Sequence, residues 1–566
     1  MSWGSFVRVL AGVRFRLHPV TLNLLVCAGL IIFYNDTFWR LVGAGWPGRD
    51  VRDYLFMGSL GLTVGTAFFL LLQGVAFRHV LKPVLVCVVM IAAAASYYSA
   101  TLGVVFDKAM IANIVGTDVA EVGDLLSLPL FVHIFLMGVL PSIFILKVDL
   151  VRKPLRRELV LRSGAVLGSI ALIALTGALF YQDYASFVRN NRHIRYAIIP
   201  SSPVYYSFSY LSDVSSVATT AIAFEDIDAR PGDVLTSGEK PLVLVLVLGE
   251  TARAENFSLD GYERQTNPRL ARLPVQNFAN VTSCGTSTAE SVPCLFSPLG
   301  RGEASALEMS HSANLLDYFG KAGFDTVWIE NNSGGCKGVC RPARTIAAAS
   351  DDDRDLCSEG TCFDEVLVRR LKDELDQVSR NTLFLLHQMG SHGPAYYKRY
   401  PPEFRIFEPA CETSQLQECS REEIVNAYDN SIAYTDSVLA DIVSLLSSHE
   451  DRFDPVFLYV SDHGESLGEM GMYLHGMPYG FSPYTQRHVP MVFWSADTFN
   501  ERTGLKRECV NRHRADELSH DNLFHTVVGL AEIRSKDYDP ALDFLAACRM
   551  DESDAVIAVS HTDGHV

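Results

Sequence analysis

The sequence predicts a membrane protein of two parts: an α-helical transmembrane domain of five helices, followed by an α/β domain in which helices sandwich a mainly parallel sheet. Residues 1–200 hold 18 Lys and Arg against 10 Asp and Glu, whereas the remainder holds 30 against 55. Long apolar stretches occur in the basic part, and short aliphatic runs alternate with helix-like segments in the acidic part. The acidic part argues against nucleic acid as a partner, because phosphate backbones need clustered Lys and Arg.

Five apolar stretches are long enough to cross a bilayer, which takes roughly 20 helical residues. The first is not a cleavable signal peptide, because no small-residue cleavage site follows it. Basic residues precede the first stretch and lie between the second and third and between the fourth and fifth. The positive-inside rule then predicts a cytoplasmic N-terminus and a C-terminal part across the membrane. The predicted spans are Val20–Trp39, Tyr54–Phe77, Pro83–Thr101, Leu128–Leu146 and Ser163–Tyr181.

Cysteine usage supports this orientation independently. Cys27 and Cys87 lie in apolar runs and resemble small core residues. The other ten cysteines lie beyond residue 280 in loop-like sequence, which indicates disulfides in an oxidising compartment. The expected pairs are Cys284/Cys294, Cys336/Cys340, Cys357/Cys362, Cys411/Cys419 and, over a longer distance, Cys509/Cys548.

A connector joins the two parts. The segment Tyr184–Tyr210 is rich in Tyr, Phe and Arg, which is typical of a membrane-interface segment or of a plain bridging helix. The predicted organisation is therefore a transmembrane domain over 1–182, an interfacial connector over 183–239 and the α/β domain over 240–566.

The α/β domain begins with a continuous aliphatic run, Pro241–Leu248, which predicts a strand buried on both faces. Ligands of such sheets bind beyond the carboxyl ends of the strands. A long helix is predicted at Glu422–Ser447. Further strands are predicted at Thr326–Ile329, Thr382–Leu386, Pro455–Val460 and Pro490–Trp494.

Polar residues follow the two best strands. Glu250 comes two residues after Leu248, and Asp462 and His463 follow Val460. Carboxylates with an imidazole suit a divalent metal such as zinc, with one position open to chemistry. Taken singly, a Glu at a strand end is more often a cap or a surface charge.

The segment Asn280–Pro293 (NVTSCGTSTAESVP) places small hydroxyl residues before a helix predicted from Glu290. A Thr at a helix N-terminus gains from the positive end of the helix dipole, which favours an anionic nucleophile and binds phosphate. Zinc would lower the hydroxyl pKa further. The alternative is an ordinary N-cap. Histidines after strand ends also favour metal or phosphate binding: His387, His392 and His475.

In order along the chain, the stretches LGETAR, SCGTSTAESVPC, CKGVC, SHGP and SDHGESLGE resemble the phosphoethanolamine transferase family of lipid A type, in the alkaline phosphatase/sulfatase superfamily. The resemblance implies a sulfatase-like periplasmic domain with Thr286 as nucleophile. It implies zinc ligation by Glu250, Thr286, Asp462 and His463. It also implies binding of substrate, or of a second zinc ion at the last two, by Lys337, His387, His392 and His475. The NNSGGCKG stretch is one residue longer than the family spacing, so Asn332 is left unassigned.

The segment between the third and fourth spans, FDKAMIANIVGTDVAEVGDLL, resembles the family's periplasmic loop. Asn113, Thr117 and Glu121 stand at i, i+4 and i+8, so on one helix they share a face. The resemblance implies that they bind the ethanolamine end of the donor. The alternative is an amphipathic interfacial helix.

As a whole, the resemblance implies transfer of phosphoethanolamine from phosphatidylethanolamine to a lipid A phosphate. The enzyme would be a monomer of the bacterial inner membrane with a periplasmic catalytic domain, and it would confer resistance to cationic peptides such as polymyxin. Transfer to the core oligosaccharide stays open, as does a phosphoglycerol transferase. A sulfatase would need Cys or Ser where Thr286 stands, and a transporter or sensor is disfavoured because the spans hold almost no charges.

Overall fold

The computed structural model describes residues 15–46, 48, 50–77, 79–117, 119–151, 153–216, 227–233, 238–350, 353–358 and 361–549, with the backbone alone at 119–121. The chain divides into two compact units. The first comprises residues 1–107 and 126–208, and the second comprises residues 108–125 and 209–566.

The first unit is helical, as its long apolar stretches predict. In chain order the helices are α1 (Pro19–Phe33), α2 (Asp36–Gly45), α3 (Val51–Gly74), α4 (Leu81–Leu102), then α5 (Lys108–Gly116) and α6 (Val119–Leu125) of the second unit, α7 (Leu128–His133), α8 (Leu140–Lys147), α9 (Leu155–Leu179), α10 (Tyr181–Asn190) and α11 (Ser201–Ser216). A π-helical turn, Ile134–Val139, joins α7 to α8, and a 3₁₀ helix spans Arg192–Ala197. Two short strands, β1 (Arg16–Leu17) and β2 (Asp149–Leu150), pair in parallel.

Among the described residues, four helices are long and apolar enough to cross a membrane: α3, α4, Leu128–Lys147 and α9. The helices α1 and α2 form a fifth candidate span, bent by 60°. The predicted single helix Val20–Trp39 is therefore wrong at the bend. There the buried amide of Asn35 donates to the carbonyls of Leu30 (2.9 Å) and Ile199 (2.7 Å), so side-chain hydrogen bonds interrupt the helical ladder.

The second unit is built on an eight-stranded sheet whose central strand, Leu242–Gly249, is buried along its whole length. The strands of this unit are β3 (Arg230–Pro231), β4 (Leu242–Gly249), β5 (Gln276–Thr282), β6 (Asp325–Glu330), β7 (Arg344–Ala347), β8 (Cys357–Ser358), β9 (Thr361–Cys362), β10 (Thr382–His387), β11 (Asp454–Ser461), β12 (Ser466–Leu467), β13 (Tyr473–Leu474), β14 (His488–Ser495), β15 (Leu518–Ser519) and β16 (Ile533–Arg534). The order in the sheet is β15-β5-β14-β11-β4-β10-β6-β7. Every neighbouring pair is parallel except the two that involve β14, which confirms the mainly parallel sheet.

Helices flank this sheet. They are α12 (Thr288–Leu295), α13 (Ala306–His311), α14 (Leu315–Lys321), α15 (Glu365–Leu375), α16 (Arg421–Ser447), α17 (Asp497–Thr503), α18 (Arg507–Arg512), α19 (Asp521–Leu530) and α20 (Ala546–Arg549). The longest, α16, begins at a capping box in which Ser420 and Glu423 each accept a hydrogen bond from the other's backbone N–H.

The five predicted strands and the predicted long helix are confirmed, with ends within two residues. The strand β5 was not predicted, because its sequence QNFANVT mixes polar with apolar residues; Gln276 and Asn277 are buried, and Asn280 and Thr282 are partly exposed. The strand β7 was missed for a similar reason: three of its four residues are exposed at the sheet edge.

Strand register brings the predicted site residues to one edge of the sheet. Gly249 of β4 pairs with Ser461 of β11, and Leu248 pairs with His387 of β10. The residues that follow these strands therefore leave the sheet side by side. Both β5 and β11 are antiparallel to β14, so the segment after β5 leaves at the same edge.

The segment between the third and fourth spans belongs to the second unit. It forms two helices, so the single helix predicted to carry Asn113, Thr117 and Glu121 on one face is wrong. The helix α5 ends at Gly116, and the hydroxyl of Thr117 donates to the carbonyl of Asn113 at 2.8 Å. Glu121 lies in α6, and its side chain is outside the described residues. Because α5 and α6 pack on the second unit, the compact units differ from the sequence-ordered ranges 1–182, 183–239 and 240–566.

All five expected disulfides are present: Cys284–Cys294, Cys336–Cys340, Cys357–Cys362, Cys411–Cys419 and Cys509–Cys548. Four of them close loops of ten residues or fewer, and the fifth joins α18 to α20 across a separation of 39 residues.

Removal of the long-range disulfide should cost the most stability. A disulfide restricts the unfolded chain more when it closes a longer loop, so the double variant Cys509→Ala/Cys548→Ala should lose about 4 kcal/mol of unfolding free energy. The matched double variant at Cys411 and Cys419, whose separation is 8 residues, should lose about 2.5 kcal/mol. Denaturant unfolding followed by intrinsic fluorescence compares the two, and an equal or reversed loss would contradict the prediction.

Candidate active site

Three buried polar side chains meet at the carboxyl ends of β4 and β11. The Nε2 atom of His463 lies 3.4 Å from Oε1 of Glu250 and 3.3 Å from Oδ2 of Asp462. Ligand atoms of these three residues all lie within 4.8 Å of one another, and each side chain is at most 1% exposed. The structure thus brings together the three strand-end residues singled out from the sequence.

Hydrogen bonds to the backbone orient this group. Oδ1 of Asp462 accepts from the N–H groups of Thr251 (3.1 Å) and His463 (2.8 Å). Nδ1 of His463 donates to the carbonyl of Gly464 at 2.8 Å, which leaves Nε2 available as a ligand atom. Oδ2 of Asp462 is buried, and although Nε2 of His463 lies 3.3 Å away, this oxygen accepts no hydrogen bond from the described residues. Since buried polar atoms are nearly always paired, this oxygen and Nε2 fit a bound cation.

The charges of the three groups shift one another's pKa values. Burial alone would lower the pKa of His463, but the carboxylates of Asp462 and Glu250 and the Gly464 carbonyl raise it to about 10. Burial opposes ionisation of Glu250, yet His463 holds the pKa of Glu250 well below its usual value. Burial, followed by the charge of Glu250, raises the pKa of Asp462. Such mutual shifts in a buried group are typical of functional sites.

Thr286 lies in the segment between β5 and α12. Its hydroxyl donates to the carbonyl of Met477 at 2.6 Å, and its own carbonyl accepts from the N–H of Gly476 at 2.7 Å. The segment is closed by the disulfide between Cys284 and Cys294. Thr286 is thus fully buried and bonded to the two residues that follow His475.

The start of α12 connects this segment to the three-residue group. The hydroxyl of Thr288 donates to Oε2 of Glu250 at 3.2 Å and lies 3.4 Å from Nε2 of His463. The helix dipole directs partial positive charge to this end of α12.

A histidine that sequence reasoning missed ties the Thr286 segment to β11. Nδ1 of His520 accepts from the N–H of Cys284 at 3.1 Å, and Nε2 donates to the carbonyl of Ser461 at 3.0 Å. Burial lowers the pKa of His520 to about 3, in keeping with a neutral ring. No short motif surrounds it; its role follows from the pairing of β15 with β5, which the sequence did not predict.

Two of the three histidines expected to bind substrate, His392 and His475, lie beside the group. The ring centroid of His475 is 4.3 Å from that of His463 and 5.9 Å from that of His392. Both His392 and His475 are nearly buried, at 8% and 9% exposure. The structure therefore places the rings of both His463 and His392 near the His475 ring, so three imidazoles lie close together.

His387 is placed differently. It is fully buried at the end of β10, with its ring 5.5 Å from that of Trp328. Its Nδ1 lies 2.8 Å from Oε1 of Glu330. Burial lowers the pKa of His387, but the Glu330 carboxylate reverses this and raises it. Its ring contacts Trp328 and Glu330 of the neighbouring strand β6.

Lys337 lies in a short loop closed by the Cys336–Cys340 disulfide, with its backbone in the left-handed region (φ 47°). Its ammonium donates to the carbonyl of Gly116, at the C-terminal end of α5, at 3.3 Å. That carbonyl end carries partial negative charge, which suits a cation.

The helices α5 and α6 lie against the same surface. A Cβ atom at Gly476 would stand 2.7 Å from Cε of Met110 and 3.8 Å from Nδ2 of Asn113. Lys398 and Asp124 of α6 form an ion pair of 2.9 Å. Asn113 is therefore close to the loop of His475.

Two further residues contact the site and were not predicted. Nδ2 of Asn332 donates to Oε2 of Glu250 at 2.8 Å, so the residue left unassigned belongs to the site. Glu465 is fully buried; it accepts from the hydroxyl of Tyr396 at 3.0 Å and lies 3.5 Å from Nδ1 of His475. In the sequence, both residues are marked only by their closeness to the stretches NNSGG and SDHG. That closeness does not identify the residue that each of them contacts.

The chain is similar to known proteins along most of its length. Residues 243–533 match the family described as sulfatase, and residues 64–214 match the family described as phosphoethanolamine transferase EptA/EptB. Phosphoethanolamine transferase EptA of Escherichia coli (strain K12) is 37% identical over 538 residues, covering 94% of this chain and 98% of that protein. Phosphatidylethanolamine transferase Mcr-1 of Escherichia coli is 36% identical over 533 residues, covering 92% and 96%.

A solved structure extends the likeness to both units. The integral membrane protein lipooligosaccharide phosphoethanolamine transferase A (EptA) from Neisseria meningitidis superposes with a TM-score of 0.90 at 34% identity, covering 95% of this chain and 100% of that one. With this identity over nearly the whole length, the chain belongs to the phosphoethanolamine transferase family of membrane enzymes, and its second unit has the sulfatase fold.

Proposed function

We propose that this enzyme transfers phosphoethanolamine from phosphatidylethanolamine to a lipid A phosphate through a covalent intermediate on Thr286, at the periplasmic face of the bacterial inner membrane. The observation that carries the proposal is the buried group of Glu250, Asp462 and His463 beside the Thr286 segment, with one carboxylate oxygen unpaired among the described residues. The Neisseria relative is named for lipooligosaccharide, which supports a lipid-anchored sugar phosphate as acceptor. Transfer to a core sugar is the second candidate.

Glu250, Asp462, His463 and Thr286 would hold a zinc ion, because two carboxylates, an imidazole and a hydroxyl are ligands that zinc accepts. When bound there, zinc would act as a Lewis acid toward the phosphoryl oxygens and lower the pKa of the hydroxyl. His392 and His475 would bind the phosphoethanolamine group or a second zinc ion.

In the first half-reaction, the Oγ1 atom of Thr286 attacks the phosphorus of the donor. A bond forms between Oγ1 and phosphorus while the bond from phosphorus to the diacylglycerol oxygen breaks. The hydroxyl proton of Thr286 ends on diacylglycerol, and His392 or His475 would relay it. Lys337 would add positive charge on the phosphate side.

In the second half-reaction, a phosphate oxygen of the acceptor attacks the same phosphorus. The bond to Oγ1 breaks, and Thr286 regains a proton from the monoprotonated acceptor phosphate. The product carries an ammonium group where the acceptor had only negative charge. Reduced surface charge weakens attraction of cationic peptides such as polymyxin.

The donor's ammonium would be held by α5 and α6. Asn113 lies close to the His475 loop, and the Asp124–Lys398 ion pair fixes α6 to the same unit. Thr117 and Glu121 follow Asn113 at the junction of these helices, and a carboxylate at position 121 suits an ammonium partner.

The function is tested by mass spectrometry of lipid A from cells with and without this protein. Phosphoethanolamine on lipid A only in the presence of the protein supports the proposal. Phosphoethanolamine on core sugars alone would show that a core sugar, and not lipid A, is the acceptor. No added phosphoethanolamine on lipid A or on core sugars would overturn the proposal.

Thr286→Ala should lower transfer by at least about 10³-fold, because it removes the attacking oxygen. Wild type incubated with phosphatidylethanolamine but no acceptor should carry one phosphoethanolamine on the peptide containing Thr286, seen by mass spectrometry. Thr286→Ser, which keeps a hydroxyl, is the matched control and should retain part of the rate. An adduct on Ser283, Ser287 or Ser291 instead would refute the assignment.

Zinc and activity should fall together in ligand variants. Glu250→Ala, Asp462→Ala and His463→Ala should each weaken zinc binding by more than about 100-fold, since each removes a direct ligand. Metal analysis after dialysis and the transfer rate of the same samples provide the two measurements. Chelated wild type should recover on zinc addition. Full zinc content and a full transfer rate in Asp462→Ala would contradict the proposed zinc site.

Loss of the carboxylate at position 121 should change the rates with two substrates to different extents. Glu121→Ala should reduce use of phosphatidylethanolamine at least about tenfold but leave hydrolysis of a small water-soluble phosphodiester unchanged, because the ammonium is remote from phosphorus. Glu121→Gln, which keeps the volume of the side chain, is the control. Equal losses on both substrates would indicate a structural role for Glu121 instead.

A soluble fragment of residues 240–566 should fold with its disulfides and act poorly on the lipid donor.

A further inference from the structure

Two arginines converge on one tyrosine next to the Thr286 segment. The guanidinium carbon of Arg301 lies 3.3 Å from the ring centroid of Tyr479, and that of Arg487 lies 4.9 Å from the same centroid. Arg301 is exposed, and Tyr479 and Arg487 are half-buried, so the cluster reaches the surface. Cation–π attraction to the ring offsets part of the repulsion between the two cations.

Each member of this cluster is attached to the segment that carries the nucleophile. The carbonyl of Arg487 accepts from the N–H of Ser283 at 2.7 Å. Tyr479 follows by two residues Met477, whose carbonyl accepts from the Thr286 hydroxyl. The cluster therefore flanks the Thr286 segment.

Arg301 reaches the same segment through α19. Its N–H donates to Oδ1 of Asp521 at 2.9 Å, and that oxygen lies 3.6 Å from Sγ of Cys284. The cluster thus combines two stretches of chain: Arg301, and the loop before β14 that carries Tyr479 and Arg487.

The charge of this cluster is not balanced locally. Neither guanidinium forms an ion pair with a carboxylate in the part of the chain that the structure describes, although acidic residues outnumber basic ones from residue 201 onward by 55 to 30. Nε of Arg487 is also buried without a hydrogen-bond partner there. A buried guanidinium N–H left unpaired is costly, so the site suits an anionic ligand that accepts hydrogen bonds.

The spacing fits a phosphate group. The two distances to one centroid place the guanidinium carbons no more than about 8 Å apart, and a phosphate that accepts from both guanidiniums spans a separation of this order. The donor is a poor match, because its phosphodiester has a single negative charge and an ammonium that two arginines repel. A phosphate monoester, with a charge of about −1.5 to −2, is the better match.

We propose that Arg301, Tyr479 and Arg487 bind the acceptor, a sugar phosphate monoester, and place its phosphate oxygen for attack on the Thr286 adduct. The tyrosine ring holds the two guanidiniums in place by cation–π contact. This inference rests on the two half-reactions proposed above. The donor half-reaction does not require the cluster, whereas the acceptor half-reaction does.

The test measures the two half-reactions separately in full-length Arg301→Ala, Arg487→Ala and the double variant. Adduct formation on Thr286 from phosphatidylethanolamine should stay within about twofold of wild type, which also shows that the variants fold. Transfer from the adduct to purified lipid A at low acceptor concentration should fall at least about tenfold for each single variant, because each loses a charge-assisted hydrogen bond. The loss should be in KM for lipid A. The transfer rate of Arg487→Lys should lie between those of wild type and Arg487→Ala. Arg534 is an exposed arginine paired with Asp233, so Arg534→Ala should behave as wild type.

Glucose 1-phosphate serves as a soluble probe of the same chemistry. It should inhibit transfer by wild type and inhibit the double variant less, and lipid A lacking its phosphates should accept nothing from either. If the variants lose adduct formation as much as transfer, the arginines serve the transferred phosphate and the inference is wrong. Normal transfer in the double variant would also overturn it. Absence of any adduct on wild type would instead overturn the proposed function.

Discussion

The parallel pairing of β4 with β11, with Gly249 opposite Ser461, is the constraint on which the site depends. It is continued past the strand end, where the N–H of Asp462 donates to the carbonyl of Gly249 at 3.0 Å. A slip of one residue would turn each side chain of the strand to the other face of the sheet. Glu250 and Asp462 then could not share a ligand. The unbroken aliphatic core of β4, buried along its whole length, makes such a slip costly.

The one reversed strand of the sheet has an equally definite consequence. Because β14 is antiparallel to its neighbours, it begins at the edge where the other strands end: His488 pairs with Thr282, the last residue of β5. The loop that precedes β14 therefore lies at the sheet edge that carries the site. This loop contributes Met477, Tyr479 and Arg487. A sheet of parallel strands alone would place this loop at the opposite edge, away from Thr286.

Sequence reasoning succeeded where local pattern and topology coincide. The aliphatic runs of β4 and β11 mark strands, and strand ends are where α/β sheets bind ligands, so Glu250, Asp462 and His463 could be grouped before the fold was known. It failed where a single side chain meets a distant backbone. The bend at Asn35 depends on Ile199, and the tie made by His520 depends on Cys284 and Ser461; neither partner is marked by composition or spacing. The division of one loop into α5 and α6 likewise follows from packing on the second unit.

The second unit is discontinuous in sequence, since residues 108–125 belong to it although three predicted spans precede them and two follow. A single gene junction between residues 125 and 209 would separate the two stretches of this unit. Recombination near residue 209 would combine one protein's Gly476 and Lys398 with another protein's Met110 and Asp124, which contact them here. In such a family, substitutions in one stretch should therefore be accompanied by substitutions in the other. The membrane half and the catalytic half should be inherited together.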